Sequence, residues 1–267
     1  MVKKIVNIYI YITVTTTITI TTMIIININI NTTIIMIGIF SEKTLQKLPV
    51  SYQTTDKWLN LLMKSSTEGK MSWLTALHIG ICLTERGFVT EPLQYFQMSM
   101  DLKPNPIAAR CIAVLQKTTT DAWTNFNIAL NVLEEWKDDV SYARLQRNMI
   151  NEMAIFLQGT TYYDDMETFI TSIPENLLNS LDAVLELRVI LLIHQSNYDD
   201  AMNILSNNCF PTYATERIDL MNLWNLAVVS KAKAVSQLEQ HIARTENPIP
   251  RNIGCYKGSK YCLNYWR

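Results

Sequence analysis

The chain has little glycine, proline and histidine, and its charges nearly cancel. Its 267 residues include 7 glycines, 8 prolines and 3 histidines, and the formal net charge is -1 at pH 7. Scarce glycine and proline are typical of helices joined by short turns, so the composition favours an all-α fold. A net charge near zero provides no general attraction to nucleic acid or anionic lipid, so we expect no nucleic-acid partner.

The cysteines lack the paired spacing of a structural zinc site. Five are present, at positions 82, 111, 209, 255 and 262, and no two are separated by only two residues. The gap between Cys255 and Cys262, with His241 upstream, does not provide the short ligand spacing that zinc sites use. An odd number of unpaired cysteines suits a reducing compartment. We therefore expect a cytoplasmic protein without a metal.

No catalytic constellation is visible. The sequence contains no P-loop, no H-E-x-x-H and no G-x-S-x-G motif. His78 and His194 lie in apolar helical runs and His241 lies near a helix end, whereas a general base needs a positioned partner. We predict that the chain is not an enzyme and that it binds no cofactor.

Residues 1–40 have a composition unlike the rest of the chain. After Lys3 and Lys4 no charged residue occurs before Glu42, and Ile, Thr and Asn dominate. Apolar and polar residues alternate with the two-residue period of a strand. Three interpretations remain open: a membrane or signal segment, a β-hairpin, or a translated simple DNA repeat upstream of, or in place of, the true start. We favour the translated repeat.

Residues 71–106 have the pattern of a complete helix-turn-helix hairpin. Apolar residues recur at three- and four-residue steps in two runs: Trp73, Leu74, Leu77, Ile81 and Leu83, then Leu93, Phe96, Met100 and Leu102. This spacing places them on one side of a helix. Gly87 separates the runs, and Pro104 and Pro106 stop the second one. The segment predicts two short antiparallel helices.

A phrase repeats later in the chain at a similar period. Residues 163–166 read YDDM and residues 198–201 read YDDA, 35 positions apart, after helical runs at 143–157 and 181–194. We predict that each Asp-Asp pair lies at the start of a helix, where exposed amides and the helix dipole favour acids. Two further helical hairpins are therefore expected.

The hairpin resembles a tetratricopeptide repeat. Gly80 after Ile79, the spacing from Pro92 to Phe96, and Pro104 fall on positions of that motif. Two residues depart from it, because Pro92 replaces the small alanine and Ala76 replaces the tryptophan. The resemblance implies an α-solenoid of stacked hairpins with a concave binding face.

A second resemblance concerns about residues 70–255. The run ARCIAVL at 109–115 and the Leu223-Trp224 pair are similar to the C-terminal repeats of large bacterial proteins that carry an N-terminal β-rich domain of unknown function. On this basis we expect a low-complexity segment at 1–40, tetratricopeptide-like repeats at 41–254 and an irregular tail at 255–267. The chain is then expected to be a fragment of a larger protein.

If the register of the repeats holds, four polar side chains line the groove. They are Asn148, Asn151, Glu186 and His194. The resemblance implies a non-catalytic scaffold that binds a protein or peptide there, although a solvated polar face explains the same residues. The alternative is a helical accessory region of a carbohydrate-active protein whose β-rich part is missing here. We expect no membrane contact unless residues 1–40 form an anchor.

Overall fold

The computed structural model describes residues 40–49, 51–116, 118–208, 210 and 218–254, and every regular element within these ranges is a helix. The predicted all-α fold is confirmed. Residues 1–39 of the low-complexity segment predicted at 1–40, and the tail predicted at 255–267, lie outside the described residues, so the predictions made for them are not tested. The chain divides into two compact units, residues 1–142 and 143–267.

The helices follow the chain in this order: α1 Glu42–Leu45, α2 Asp56–Thr67, α3 Trp73–Thr84, α4 Thr90–Leu102, α5 Pro106–Leu115, α6 Thr119–Glu134, α7 Tyr142–Gln158, α8 Tyr163–Ser172, α9 Glu175–Leu178, α10 Asp182–His194, α11 Tyr198–Asn207, α12 Ile218–Lys231, α13 Gln237–Glu246 and α14 Arg251–Gly254. Stacking of these helices into a solenoid remains a prediction.

Local signals account for most helix boundaries in the first unit. The hydroxyl oxygen of Ser72 accepts a hydrogen bond from the third amide of α3, and Thr118 does the same for α6. Gly69 and Gly87 follow α2 and α3 with φ angles of 72° and 82°, a left-handed conformation that glycine adopts without strain. The predicted break at Gly87, between the two helices of the hairpin, is confirmed.

Helices α3 and α4 pack at a point where only glycine fits. A Cβ atom added to Gly80 would lie 2.5 Å from Cε1 of Phe96, whose side chain is fully buried. Pro92 is the third residue of α4, so its missing amide proton removes no hydrogen bond within the helix. The predicted antiparallel hairpin is therefore present, and the Gly80–Phe96 contact sets how closely its helices approach.

Asn105 connects α4 to α5 at the turn between these two helices. Its amide nitrogen donates to Ser99 Oγ and to the carbonyl of Lys103, both at 3.0 Å, and its Oδ1 accepts from the amide of Ala108 at 2.9 Å. Ser99 in turn donates to the carbonyl of Trp73 at 2.7 Å. This buried chain of hydrogen bonds connects α3, α4 and the start of α5.

A lysine lies between two tryptophans in the same unit. Lys103 Nζ is 4.3 Å from the ring centre of Trp136 and 5.8 Å from that of Trp73. The ammonium also donates to the carbonyl of Leu45 at 3.2 Å, and Trp73 Nε1 donates to the same oxygen at 3.1 Å. Cation–π attraction at this half-buried position helps to hold four separate segments of chain together.

The second unit has its own apolar core. The buried residues of this cluster are Leu185, Val189, Ala201, Ile204, Leu205, Phe210, Leu220, Trp224, Val228, Ala243 and Ile253. All of them except Phe210, which lies between α11 and α12, come from the helices α10 to α14, so each of these helices contributes to the core. The two repeated phrases begin α8 and α11, and both Asp-Asp pairs lie in the first turn as predicted.

Candidate functional site

The four residues predicted to line a groove have different environments. Asn148 is exposed and Asn151 is half-buried, one turn apart on α7. Glu186 lies within α10 with only 7% of its surface exposed, whereas His194 is exposed at the last residue of the same helix. A ligand in a groove would meet the two asparagines and His194 more readily than Glu186. The groove itself remains a prediction.

His194 is stacked on a tyrosine. Its ring lies parallel to that of Tyr163, with the ring centres 3.4 Å apart and the planes at 6°. Tyr163 begins α8 and His194 ends α10, so the stack joins the two helices at their ends. One face of the imidazole is therefore occupied within the protein.

His78 is enclosed by aromatic rings in the first unit. It is 6% exposed, and its ring centre lies 5.2 Å from that of Phe40, 5.3 Å from Tyr52 and 6.1 Å from Trp58. Burial lowers the pKa of His78 to about 4, because the cation would lose its hydration. Its Nδ1 and the Nε1 of Trp58 are buried without a hydrogen-bond partner. A neutral histidine here fits the prediction that it is not catalytic.

A groove lies between α4 and α5. Its volume is about 500 Å³. The side chains that line it are Leu93, Gln94, Gln97, Met98, Asp101, Ile112 and Gln116. Gln97 donates to the carboxylate of Asp101 at 2.9 Å, so these two polar groups satisfy each other. Asp101 is the one charged side chain among these lining residues, and Gln97 already engages it.

The second unit exposes an apolar stripe at its last long helix. Val235, Leu238 and Ile242 are 88%, 68% and 46% exposed. Leu238 and Ile242 lie four positions apart on one side of α13, and Val235 lies just before Ser236, the N-cap of this helix. Ala243, on another side of the same helix, is buried in the core. We call Val235, Leu238 and Ile242 the α13 stripe.

Side-chain hydrogen bonds cap the N-terminus of the helix that carries the stripe. Ser236 Oγ accepts from the amide of Glu239 at 3.2 Å, and the Glu239 carboxylate accepts from the amide of Ser236 at 2.8 Å. This reciprocal arrangement is a capping box. The hydrogen bonds from Ser236 lower the pKa of Glu239, so its charge is retained beside the stripe. The stripe is thus held on a well-formed helix.

Sequence reasoning did not single out the α13 stripe, although a signal for it was present. Apolar residues three and seven positions apart predict a helical face. Such a face normally packs against the core. The sequence does not show whether another helix covers it. The exposure of these side chains appears only in the folded chain.

The described part of the chain contains no cluster of three or more His, Cys, Asp or Glu side chains that could hold a metal ion. Among the same residues, no helix has the length and apolar character needed to cross a membrane.

One family of known proteins matches a range of residues that lies within the second unit. Residues 145–250 match the family model for the N-terminal SD domain of the transcriptional regulator SIX1. This range nearly coincides with the second unit, residues 143–267, so the SIX1-like match corresponds to a structural unit and not to an arbitrary stretch. No curated protein and no solved structure matches the chain.

The SIX1 match overturns the tetratricopeptide interpretation. The predicted family, the large bacterial repeat proteins, is wrong, and so are the peptide-binding scaffold and the carbohydrate-associated alternative. The motif positions in residues 71–106 are typical of any two antiparallel helices that pack closely. Gly80 contacts Phe96, where a larger residue would not fit, and Pro104 lies between two helices. Those positions also lie in the first unit, outside the matched range.

The predicted partners are corrected for the same reason. A transcriptional regulator acts at DNA, so the exclusion of nucleic acid, which rested on the small net charge, is wrong, and a peptide in a repeat groove is not supported. The prediction that the chain is not an enzyme is confirmed by this match, because the SIX1 domain belongs to a transcriptional regulator.

Proposed function

We propose that residues 145–250 form a regulatory domain that acts on transcription. The observation that carries this proposal is the coincidence between the SIX1-like match and the second compact unit. A domain with its own core can keep its function when neighbouring segments differ. The core of α10 to α14 supplies that independence here.

Such a domain acts by contact and not by chemistry. In the described part of the second unit, the Asp-Asp pairs lie in first turns of helices and His194 is stacked on Tyr163. These groups have structural roles that stabilise helix starts and ends. A nuclear site of action follows from the proposal, in place of the cytoplasm expected from the cysteines.

The test is a reporter assay with the full chain fused to a heterologous DNA-binding domain. We expect reporter transcription to change several-fold, and we expect Trp224→Ala to remove the change. Trp224 is 5% exposed in the core of the second unit, and its Nε1 donates to the carbonyl of Asn247 at 3.1 Å. Loss of a buried tryptophan costs about 3–5 kcal/mol, enough to unfold many domains.

Trp58→Ala is the matched control. Trp58 is buried to the same degree, but in the first unit. If regulation resides in residues 145–250, this variant keeps its effect on the reporter. Equal loss in both variants, or no effect of the wild-type chain, would contradict the proposal. Fluorescence microscopy of the tagged full chain tests the nuclear location.

A further inference from the structure

One side of α7 is accessible to solvent and carries basic and amide side chains. The buried residues of this helix share the other side, and they are Met149, Ile150, Met153, Ala154 and Leu157. Opposite to them lie four residues at steps of four, three and four positions, which are Arg144, Asn148, Asn151 and Ile155. Arg147 is exposed beside these four. We call the five residues from Arg144 to Ile155 the α7 face.

The α7 face is basic, although the chain as a whole is nearly neutral. Arg144 and Arg147 are exposed, whereas Glu152, the only acid in the sequence of α7, is half-buried. A local concentration of positive charge attracts anions whatever the net charge of the chain is. Charge complementarity therefore favours an anionic partner for this face.

A third arginine lies close to Arg147. Arg147 Nη2 donates to the carbonyl of Ser180 at 3.4 Å, and Arg188 Nη1, from α10, donates to Oδ1 of Asn179 at 2.7 Å. Asn179 and Ser180 are adjacent and exposed between α9 and α10. Two helices therefore bring guanidinium groups to the same exposed turn. Positive groups held at fixed positions suit a partner with regularly spaced phosphates.

We propose that the α7 face binds in the major groove of duplex DNA. Arg144 and Arg147 contact phosphates, and Asn148 and Asn151 contact the edges of bases. The proposal rests on the regulatory function proposed above and gives that domain a surface for its contact with DNA.

The dimensions of α7 agree with this partner. A helix with its side chains is about 10–12 Å wide, and the major groove of B-DNA is about 12 Å wide. From Arg144 to Ile155 the helix rises about 16 Å, which corresponds to about five base pairs at 3.4 Å each. The face is therefore long enough to contact several successive bases.

The side-chain types distinguish DNA from an acidic protein. Both partners would pair with the two arginines. An asparagine amide, however, offers one donor and one acceptor together, which match the N6 donor and the N7 acceptor of adenine. Asn148 and Asn151 lie three positions apart on the same side of α7, next to the arginines. Two such amides on a basic helix face favour the base edges of DNA.

The experiment measures binding of the full chain to a fluorescein-labelled duplex of mixed sequence, about 20 base pairs long, by fluorescence anisotropy between about 50 and 200 mM salt. Each phosphate contact contributes about 0.9 to the slope of log affinity against log salt concentration. Arg144→Ala combined with Arg147→Ala should lower this slope by about 1.8 and weaken binding about tenfold or more at about 100 mM salt. Circular dichroism checks that the helix content is unchanged.

The matched control removes the same charge from another helix of the second unit. Arg244 is exposed on α13. Arg144→Ala alone should lower the slope by about 0.9, whereas Arg244→Ala should leave it unchanged.

A second variant tests the asparagines separately from the arginines. Asn148→Ala combined with Asn151→Ala keeps both basic groups, so the salt dependence should stay as in the wild type. We expect this variant to enrich the sequences that the wild type selects from a random pool of duplexes about fivefold less, because base contacts provide the discrimination. Equal enrichment by both proteins would overturn the assignment of the asparagines to bases.

Three other outcomes would overturn the proposal. In the first, the wild type does not bind the duplex at about 50 mM salt. In the second, Arg244→Ala weakens binding as much as Arg144→Ala. In the third, a poly-glutamate peptide displaces the duplex at an equal concentration of charges, which would assign the face to an acidic protein.

The reporter assay described above separates this proposal from the regulatory function. In that assay a heterologous domain supplies the DNA binding, so regulation does not depend on the α7 face. Regulation of the reporter without binding of the duplex would overturn the α7 proposal alone. Binding of the duplex without any effect on the reporter would overturn the regulatory function alone.

Discussion

Acidification should destabilise the first unit through one histidine. The folded protein holds His78 neutral with a pKa of about 4, whereas an exposed histidine has a pKa of 6.5. As the pH falls below 6.5, the unfolded chain therefore binds a proton that the folded chain does not bind. Stability is highest above pH 6.5, is lost progressively between pH 6.5 and about 4, and changes no further from this group below that range.

The size of the effect follows from the shift in pKa. Each pKa unit corresponds to about 1.4 kcal/mol, so full acidification removes about 3 kcal/mol of unfolding free energy. The cause is the aromatic enclosure formed by Phe40, Tyr52 and Trp58, which leaves no room for the hydration of a cation. A loss of this size is a large part of the stability of a small domain.

The assay is urea unfolding at several pH values between 7 and 4, followed by tryptophan fluorescence, for the wild type and for His78→Leu. Four of the six tryptophans belong to the first unit, so the signal reports mainly on it. Carboxylates titrate in both proteins, and the difference between them isolates His78. We expect the wild type to lose about 3 kcal/mol relative to the variant over this range. A difference that stays constant with pH would refute the reasoning.

Three other substitutions test contacts described above. Gly80→Ala forces a methyl group against the ring of Phe96, and we expect a loss of about 1–3 kcal/mol in urea unfolding. Lys103→Met removes the charge over Trp136 and should lower the unfolding free energy by about 1–2 kcal/mol. Ser236→Ala removes the cap of α13 and should reduce local stability by about 1 kcal/mol, measured by amide hydrogen exchange in that helix.

Each of these substitutions has a matched control. Gly159→Ala adds a methyl group 3.6 Å from the nearest atom, an ordinary contact, and should change stability little. Lys47→Met removes a charge from an exposed side chain, and Ser230→Ala removes a hydroxyl that caps no helix. Losses in the controls as large as in the test variants would contradict the proposed contacts.

The helices of this protein were largely predictable from its sequence. The apolar steps between Trp73 and Leu102 and the breakers Gly87 and Pro104 identified the first hairpin, because amphipathic period and chain termination are local properties. The same holds for the Asp-Asp pairs, which lie in the first turns of α8 and α11. These elements form because nearby residues favour them.

The family and the site were not predictable in the same way. A small residue facing an aromatic ring, as in Gly80 and Phe96, occurs wherever two helices approach closely, so it does not identify a family. The sequence predicted that Glu186 lines a polar groove. In the structure α10 is buried on nearly every side, and Glu186 is buried too. The stripe of α13 reads as a core face, although it is exposed. Burial depends on which elements meet in three dimensions, and periodicity alone does not contain that information.

The buried amide of Asn105 implies that three helices melt as one. Asn105 bonds to Ser99, Lys103 and Ala108, and Ser99 bonds to Trp73, so each of α3, α4 and α5 would break at least one of these bonds if it opened alone. Unpaired polar groups in an apolar interior are costly, so partial opening there is suppressed. The slowest-exchanging amides of these helices should therefore share a single opening free energy, which makes the corner a cooperative folding unit.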